Sequence, residues 1–240
     1  MIPLPARETL TFLERCLPPS PSRLLQVGAG GGVVAGELAR RGYAVTALDD
    51  APPPPEFRGD WIEAEFLHYE PDVPVDALLF TDALRALQPI GRALDRAVEH
   101  LAPGGLLIAE DLAFDRVNVH TARWFYDIES VLVAADVIGP GAADAVAERR
   151  PLARWRLEHS SDPPLASGHD LLAAARERLE LTMVEEAPYL YREIAGRLLQ
   201  DAREPRTARV LEAVYQVEQR LVRERDIAAA GLRFAGKRLL

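Results

Sequence analysis

The feature that most constrains the fold is a glycine-rich turn between two short apolar segments. Residues 24–27 are Leu-Leu-Gln-Val, typical of a buried strand, and residues 28–32 are Gly-Ala-Gly-Gly-Gly. A helical pattern over 33–41 follows and ends at Gly42, and residues 43–48 form a second apolar segment. A strand, a glycine turn, a helix and a strand in this order are typical of a βαβ unit, whose crossover requires parallel strands. The sequence therefore predicts an α/β protein.

The alternation of strands and helices continues through the first half of the chain. Amphipathic spacing predicts a helix within residues 4–17 and another over 91–101. Pro103-Gly104-Gly105 is typical of a type II turn. Apolar runs predict three further strands, at residues 61–64, 75–80 and 106–109. We expect a doubly wound sheet.

The regular alternation of predicted strands and helices ends after residue 111. Helical patterns near 118–135 and 169–179 flank a stretch rich in proline and glycine. Beyond them the sequence predicts a strand from 181–184 towards Tyr191, a long helix around Val214 and a last strand at 232–240. We expect a lead-in helix at 1–21, a cofactor-binding half at 22–111, an inserted helical cap at 112–179, and a strand, helix and strand of the same domain at 180–240.

Composition excludes several classes of protein. The net charge of −9 opposes binding to nucleic acid, and Cys16, the only cysteine, excludes an intramolecular disulfide and a cysteine-based metal cluster. Lys237 is the only lysine, which argues against Schiff-base chemistry and a lysine-dependent phosphate loop. No apolar run is long enough for a membrane span, and the first residues do not resemble a secretion signal. We therefore expect a cytoplasmic protein without a membrane or nucleic-acid partner.

The glycine turn is typical of a site for an adenosine-containing cofactor. Backbone N–H groups at such a turn approach a ligand closely, and Asp49, at the end of the next predicted strand, is suited to bind ribose hydroxyls. A dinucleotide fingerprint counted from Gly28 requires glycine where Val33 stands. A register shifted to Gly30 satisfies only a looser variant, and a tight turn without any ligand is the other alternative.

The register Gly28-x-Gly30-x-Gly32 resembles the first motif of the class I S-adenosylmethionine-dependent methyltransferases. Four later features resemble that family in the same order: Asp49, Ile62-Glu-Ala-Glu65-Phe66, the segment 75–84 and the segment 101–110 with its Pro-Gly-Gly turn. The resemblance implies a Rossmann-like sheet of seven strands with an antiparallel last strand. The segments 110–115, 121–126 and 188–192 resemble a bacterial branch of the family that has a helical cap and acts on small molecules.

The resemblance also implies S-adenosylmethionine as the cofactor and a set of contact residues. Asp49 takes the ribose position, Glu65 meets the adenine amino group and Phe66 covers the ring. The full set implied is Gln26, Gly28, Ala29, Gly30, Gly32, Asp49, Asp50, Glu65, Phe66, Thr81, Asp82 and Leu84.

Two positions depart from the family pattern. Gln26 stands where an acidic residue is common, and Arg85-Ala86 stands where many relatives have histidines. The second departure favours an alternative, a methyltransferase-fold protein that binds the cofactor but has lost or changed the methyl transfer. A nicotinamide-dependent oxidoreductase is a further alternative, which rests on the shifted glycine match and lacks a Tyr-x-x-x-Lys pair.

Candidate catalytic and substrate residues lie after the fifth predicted strand. His120 is the candidate general base, because ligands bind at the carboxyl edge of such sheets and histidine has a suitable pKa. Its alternative role is to cap the helix that begins near Thr121. Trp124, Tyr126 and His159 are candidates for a small-molecule acceptor site, although aromatic residues at helical spacing more often belong to a core.

The same region contains residue types that divalent metals prefer. Glu110, Asp111 and Asp115, with His120, are the candidates. We expect these carboxylates to make strand-end hydrogen bonds and helix caps instead, and no metal. The acceptor and the oligomeric state are not determined by the sequence.

Overall fold

A computed structural model describes residues 2–139, 150–198 and 204–239. Part of the predicted proline- and glycine-rich stretch, at 140–149, lies outside these residues.

The strands form one sheet of seven with the order β3-β2-β1-β4-β5-β7-β6. Strands β3, β2, β1, β4 and β5 pair in parallel, and the end of the sheet is antiparallel, which confirms the predicted fold class. The bounds are β1 Arg23–Val27, β2 Ala44–Asp49, β3 Asp60–Glu63, β4 Val75–Thr81, β5 Leu101–Leu112, β6 Leu179–Ala187 and β7 Gly231–Arg238.

Eight helices are defined in the described residues. They are α1 Leu4–Glu14, α2 Val33–Arg40, α3 Ile90–His100, α4 Val119–Ala134, α5 Pro151–Glu158, α6 Gly168–Arg176, α7 Leu190–Ala195 and α8 Pro205–Glu224. Helix α3 shows why they form: its apolar residues Ala93, Leu94 and Ala97 recur at helical spacing and are fully buried.

The central strands are apolar along their whole length. In β4, the consecutive residues 77–80 are all inaccessible to solvent. Continuous burial is characteristic of a parallel strand covered on both faces. It explains why the sequence of β4 is a run of consecutive apolar residues and not an alternation of apolar and polar residues.

Strand β5 starts earlier than predicted, at Leu101. Leu101 pairs with Val75, and the next paired residues are Leu106 and Ala77, so the Pro-Gly-Gly segment bulges out of the strand. Gly104 takes a φ of 74°, which fits the predicted turn within that bulge.

The strand predicted from 181–184 towards Tyr191 is confirmed as β6 but ends at Ala187, and helix α7 begins at Leu190. The cause is a distant residue: the buried carboxylate of Glu218 in α8 accepts hydrogen bonds from the N–H groups of Tyr189, Leu190 and Tyr191 at 2.7–2.9 Å. A carboxylate at a helix N-terminus satisfies donors that have no partner within the helix. Helix α5 was also not predicted.

The chain divides into two compact units. The sheet unit comprises Glu8–Asp111, Leu165–Glu185 and Leu232–Leu240, and the helical unit comprises Met1–Arg7, Leu112–Pro164 and Glu186–Gly231. Helix α8, from the predicted range 180–240, therefore belongs to the same unit as α4 and α5. That residues 112–179 form a cap stays a prediction.

The core of the helical unit is aromatic. Trp155, Tyr189 and Tyr191 are its largest fully buried side chains, and Phe125 packs edge-on against Trp155. No helix in the described part of the chain is long and apolar enough to cross a membrane.

Candidate functional site

The glycine turn connects β1 to α2 and has an unusual backbone. Gly28, Gly30 and Gly32 have φ values of 73°, 51° and 67°, a region that side-chain-bearing residues rarely adopt. A Cβ on Gly28 would lie 2.5 Å from the Cβ of Ala83, so this glycine is required by packing. A Cβ on Gly30 would meet nothing within 4 Å. The turn is therefore packed on one side and open at Gly30.

Asp49, at the end of β2, holds the turn in place. Its Oδ2 accepts a hydrogen bond from the Gly30 N–H at 2.7 Å, and its Oδ1 accepts one from the Ala51 N–H at 3.1 Å. The Gly28 N–H donates to the Leu48 carbonyl at 3.0 Å, and Ala29 donates to the same oxygen at 3.4 Å. The turn and the end of β2 thus form one hydrogen-bonded assembly, next to which Asp50 is exposed.

Gln26 links the turn to β4 through a buried hydrogen-bond chain. Its Nε2 donates to Thr81 Oγ1 at 2.8 Å, and Thr81 Oγ1 donates to the Gly28 carbonyl at 3.1 Å. The Gln26 side chain is almost fully buried, and its Oε1 has no hydrogen-bond donor among the described residues. A buried acceptor without a donor costs free energy, so such an atom is a candidate for contact with a ligand.

Glu65 and Phe66 follow β3, which runs beside β2. The Ala64 N–H donates to the Asp49 carbonyl at 2.9 Å, which brings this segment next to the glycine turn. Glu65 is exposed and pairs with His68, with Oε2 and Nδ1 2.9 Å apart. Phe66 is buried and packs edge-on against Phe80. Glu65 is thus exposed to solvent at this position, whereas Phe66 belongs to the core.

The segment after β4 is built around ion pairs. Asp82 is a non-glycine residue with a positive φ of 62°, and its N–H donates to the Glu110 carbonyl at 2.9 Å. Arg85 forms ion pairs with Asp82 and with the buried carboxylate of Asp111. Leu84 is fully buried beside them. The arginine that departs from the family pattern is therefore fixed by two carboxylates.

Asp111 is inaccessible to solvent, and its burial raises the pKa of the carboxyl to about 6, against the opposing effect of Arg85. Glu110 accepts hydrogen bonds from Thr9 at 2.5 Å and from Arg233 at 2.6 Å. Over residues 2–139, 150–198 and 204–239, no three His, Cys, Asp or Glu side chains form a group that could hold a metal ion.

His120 lies at the start of α4, in the helical unit. The cap of this helix is Asn118, whose Oδ1 accepts from the backbone N–H groups of His120 and Thr121, both at 3.0 Å. The capping role considered for His120 thus belongs to Asn118, and the His120 side chain is exposed.

Tyr126 is part of the aromatic core and of a polar network. Its hydroxyl donates to Glu158 Oε2 at 2.7 Å, and the guanidinium of Arg154 lies 4.0 Å from its ring centroid. Burial and the hydrogen bond to Glu158 raise the pKa of Tyr126. Arg154 also pairs with the buried Glu129 at 2.9 Å. Trp124 is half-buried and packs against the same core.

His159 is enclosed by other side chains. Its ring stacks on Trp155 with centroids 3.8 Å apart, and its Nδ1 lies 2.9 Å from the Trp155 carbonyl. Its Nε2 is 4.0 Å from Glu193. These contacts place His159 and Tyr126 within the packed helical unit, and that they contact an acceptor stays a prediction.

Sequence reasoning missed Phe57 as a neighbour of the turn. A Cβ on Gly32 would lie 2.4 Å from the Phe57 ring, which also packs edge-on against Trp61. Phe57 lies in an irregular loop, where no periodic pattern signals its partners.

The turn has the features that a cofactor with one adenosyl group requires. It offers open space at Gly30, a carboxylate at the end of β2 and a buried acceptor on Gln26. The residues that could hold such a group therefore come together from β1, β2 and the start of β4.

Known proteins support this interpretation. Residues 4–185 match the model of the family described as "Methyltransferase domain". Trans-aconitate 2-methyltransferases from two strains of Pseudomonas aeruginosa are 29% and 28% identical over an alignment of 190 residues, and each match covers 75% of this chain. The chain spans only 64% of the length of these relatives.

Solved structures have the same fold at low sequence identity. The N-methyltransferase NodS from Bradyrhizobium japonicum, in complex with S-adenosylhomocysteine, has a TM-score of 0.52 and 14% identity, covering 98% of this chain and 86% of that one. A methyltransferase from Mesorhizobium loti has a TM-score of 0.55 and 15% identity, covering 97% and 98%. The [4+2]-cyclase SpnF has a TM-score of 0.54 and 16% identity, covering 98% and 81%.

Proposed function

Because this chain belongs to the class I S-adenosylmethionine-dependent methyltransferase family, we propose that it transfers the methyl group of S-adenosylmethionine to a small-molecule acceptor. The observation that supports the proposal most is the glycine turn, with a buried acceptor on Gln26 at one side and open space at Gly30.

Each residue around the turn has a defined task in this proposal. Gln26 keeps its Nε2 bond to Thr81 and uses Oε1 to accept a hydrogen bond from the ammonium group of the cofactor. Asp49 keeps the Gly30 and Ala51 N–H groups, and the remaining lone pairs of its carboxylate accept from the ribose hydroxyls. Glu65 accepts from the adenine amino group.

The position of Asp49 argues against a dinucleotide. In dinucleotide-binding folds, the N–H groups of the glycine turn face the pyrophosphate. Here the Gly30 N–H donates to the carboxylate of Asp49, 2.7 Å away. A pyrophosphate at this N–H would meet a negative charge, whereas a cofactor with a single adenosine and no phosphate would not.

When bound, S-adenosylmethionine supplies a methyl group on a positively charged sulfur. The chain's own contribution is to align the acceptor and exclude water, which accounts for much of the acceleration of such displacements. We include His120 as the general base, because its side chain is exposed while Asn118 performs the capping. A base assists where the acceptor is a hydroxyl or a protonated amine.

His120→Gln tests the base. Turnover should fall about 10²–10⁴-fold, with the affinity for S-adenosylhomocysteine unchanged. His169→Gln, an exposed histidine at the start of α6, is the matched control and should leave turnover unchanged. Equal turnover in both variants would leave alignment as the only source of the acceleration.

The acceptor is tested by methyl transfer from labelled cofactor. Since the curated relatives are trans-aconitate 2-methyltransferases, we propose trans-aconitate as the first acceptor to test, followed by a pool of small metabolites. Labelled product that requires the protein supports the proposal.

A second candidate function is binding of the cofactor without methyl transfer. Two observations favour it: Arg85 stands where many relatives have histidine, and one protein with this fold is a [4+2]-cyclase. Tight binding of S-adenosylhomocysteine, with no labelled product from any acceptor, would favour this function over the first.

A further inference from the structure

The helical unit contains an open cleft of about 540 Å³. It lies between the segment before α4, the end of α8 and the segment that leads into β7. Its lining residues are Arg116, Asn118, Glu186, Val222, Arg225, Ile227, Ala228 and Ala229. Because all of them belong to the helical unit, the cleft is separate from the glycine turn in sequence and in unit.

Positive groups exceed negative ones in this cleft. Arg116 and Arg225 contribute two guanidinium groups, and Glu186 contributes the one carboxylate of the lining. Arg116 Nη1 is 3.3 Å from Glu186 Oε1, but it is shielded from solvent and makes no hydrogen bond of good geometry with any described residue. The Glu186 side chain is 63% exposed, so it competes weakly for Arg116.

Asn118 adds a neutral donor. Its Oδ1 accepts from the N–H groups of His120 and Thr121 and from the Thr121 hydroxyl, so Nδ2 is the donor that the amide can offer to a ligand. Asn118 is also the N-cap of α4, a helix of 16 residues whose dipole favours negative charge at this end.

The walls of the cleft are held by hydrogen bonds. The Ala228 N–H donates to Thr121 Oγ1 at 2.8 Å, and the Ala113 N–H donates to the Ala230 carbonyl at 2.7 Å. Arg225 ends α8 with a φ of 65°, which turns the chain into the cleft-lining segment. The backbone segments that line the cleft are therefore held in place, which lowers the entropic cost of ordering them on binding.

The rest of the lining is apolar and is called the apolar wall. Val222, Ile227, Ala228 and Ala229 present only hydrocarbon side chains. Two guanidinium groups and an amide, in a cleft whose other lining residues are mostly apolar, match a ligand that combines an oxyanion with a hydrocarbon part.

We propose that this cleft binds a small organic carboxylate, with its oxyanion on Arg116, Arg225 and Asn118 and its hydrocarbon part against the apolar wall. The site is distinct from the cofactor site, and its occupation does not require methyl transfer.

The proposal is tested by NMR titration of the ¹⁵N-labelled protein at constant ionic strength. The probes are hexanoate, the neutral hexanamide and inorganic phosphate. Hexanoate should shift the Ala228 and Ala229 amide signals saturably and bind more tightly than either other probe, since only hexanoate has both the charge and the hydrocarbon chain.

Arg225→Gly is the variant that removes a guanidinium without disturbing the fold. Glycine is the preferred residue at a positive φ after a helix, so the end of α8 should be retained. Hexanoate affinity should fall about 5–10-fold, the value expected for a charge-assisted hydrogen bond in a partly solvated site. Arg223→Ala, two residues earlier and not in the lining, is the matched control and should leave the affinity unchanged.

Glu186→Gln should act in the opposite direction. Removing the carboxylate releases Arg116 and should tighten hexanoate binding about 2–5-fold. The proposal is overturned if hexanoate does not saturate these signals, if phosphate or hexanamide binds as tightly, or if Arg225→Gly and Arg223→Ala have the same affinity as the wild type.

Discussion

The glycine turn of the sheet unit and the aromatic core of the helical unit differ in how their polar groups are satisfied. At the turn, the buried Oε1 of Gln26 has no donor among the described residues, and the space beside Gly30 is open. In the helical unit, the Tyr126 hydroxyl hydrogen-bonds to Glu158 and His159 Nδ1 lies 2.9 Å from the Trp155 carbonyl. Glu129 Oε2 of the same network is also buried without a donor among the described residues, but its other oxygen pairs with Arg154 within the unit.

This difference separates a binding site from a structural network. An unpartnered buried acceptor together with open space at the turn favours a ligand site, whereas a network whose members pair mainly with one another specifies packing. Residues of both regions were functional candidates from the sequence. A sequence pattern does not show whether a histidine or an aromatic residue binds a ligand or packs against other side chains.

Gly30→Val should have the largest effect on cofactor binding at the glycine turn. The added side chain projects into the open space at the turn, so binding of S-adenosylhomocysteine should be lost. Valine at a φ of 51° should also cost about 1–2 kcal/mol of stability, with the circular dichroism spectrum retained. Gly28→Val is the contrast, because its side chain would collide with Ala83 and should destabilise the fold itself. If Gly30→Val unfolds the protein as Gly28→Val does, the turn serves structure alone.

The buried Glu218 carboxylate should make the helical unit sensitive to pH. Burial raises its pKa to about 7 in the folded protein, against its three N–H donors. The folded state therefore holds the proton more tightly than the unfolded state, whose carboxyl has an ordinary pKa near 4.5. Its contribution to stability is full below pH 4.5 and is lost as the pH rises through about 7, at most about 3 kcal/mol.

Urea unfolding at several pH values measures this effect. Glu218→Gln should lower stability at every pH, because its amide places a donor against an N–H group, and it should flatten the dependence between pH 4.5 and 7. A Gln variant with the same pH dependence as the wild type would assign the titration to another group.

Asp49→Ala should weaken cofactor binding by about 1–3 kcal/mol, through loss of charge-assisted hydrogen bonds to the ribose. Because the carboxylate also holds the Gly30 and Ala51 N–H groups, Asp49→Asn is needed as a companion variant. It retains an acceptor for the turn and loses the charge. Calorimetry should give Asp49→Asn a cofactor affinity between those of the wild type and Asp49→Ala. Unchanged affinity in both variants would assign the ribose contact to Asp50.

Tyr126→Phe should have the smallest effect and only on stability. It leaves Glu158 with its Arg154 partner and removes one hydrogen bond, at a cost of about 1 kcal/mol. The affinity for S-adenosylhomocysteine should stay within about twofold. A change in acceptor selectivity would instead give Tyr126 the substrate role that its network argues against.

Local patterns predicted the elements whose causes are local. The βαβ unit followed from the glycine turn and its neighbouring apolar segments, and β4 followed from its continuous apolar run, which the structure buries. Helix α7 did not, because its N-terminus depends on Glu218, which lies 27 to 29 residues away in the chain. The buried ion pair of Arg85 with Asp111 was invisible for the same reason, since it joins the ends of two different strands.

The central claim is that the glycine turn holds a cofactor with a single adenosyl group. Calorimetric titration of the wild-type protein with S-adenosylhomocysteine and with NADH, side by side, tests it most directly. We predict saturable micromolar binding of S-adenosylhomocysteine and no binding of NADH, because the carboxylate of Asp49 already occupies the Gly30 N–H that a pyrophosphate would need. Micromolar binding of NADH, with none of S-adenosylhomocysteine, would contradict the account.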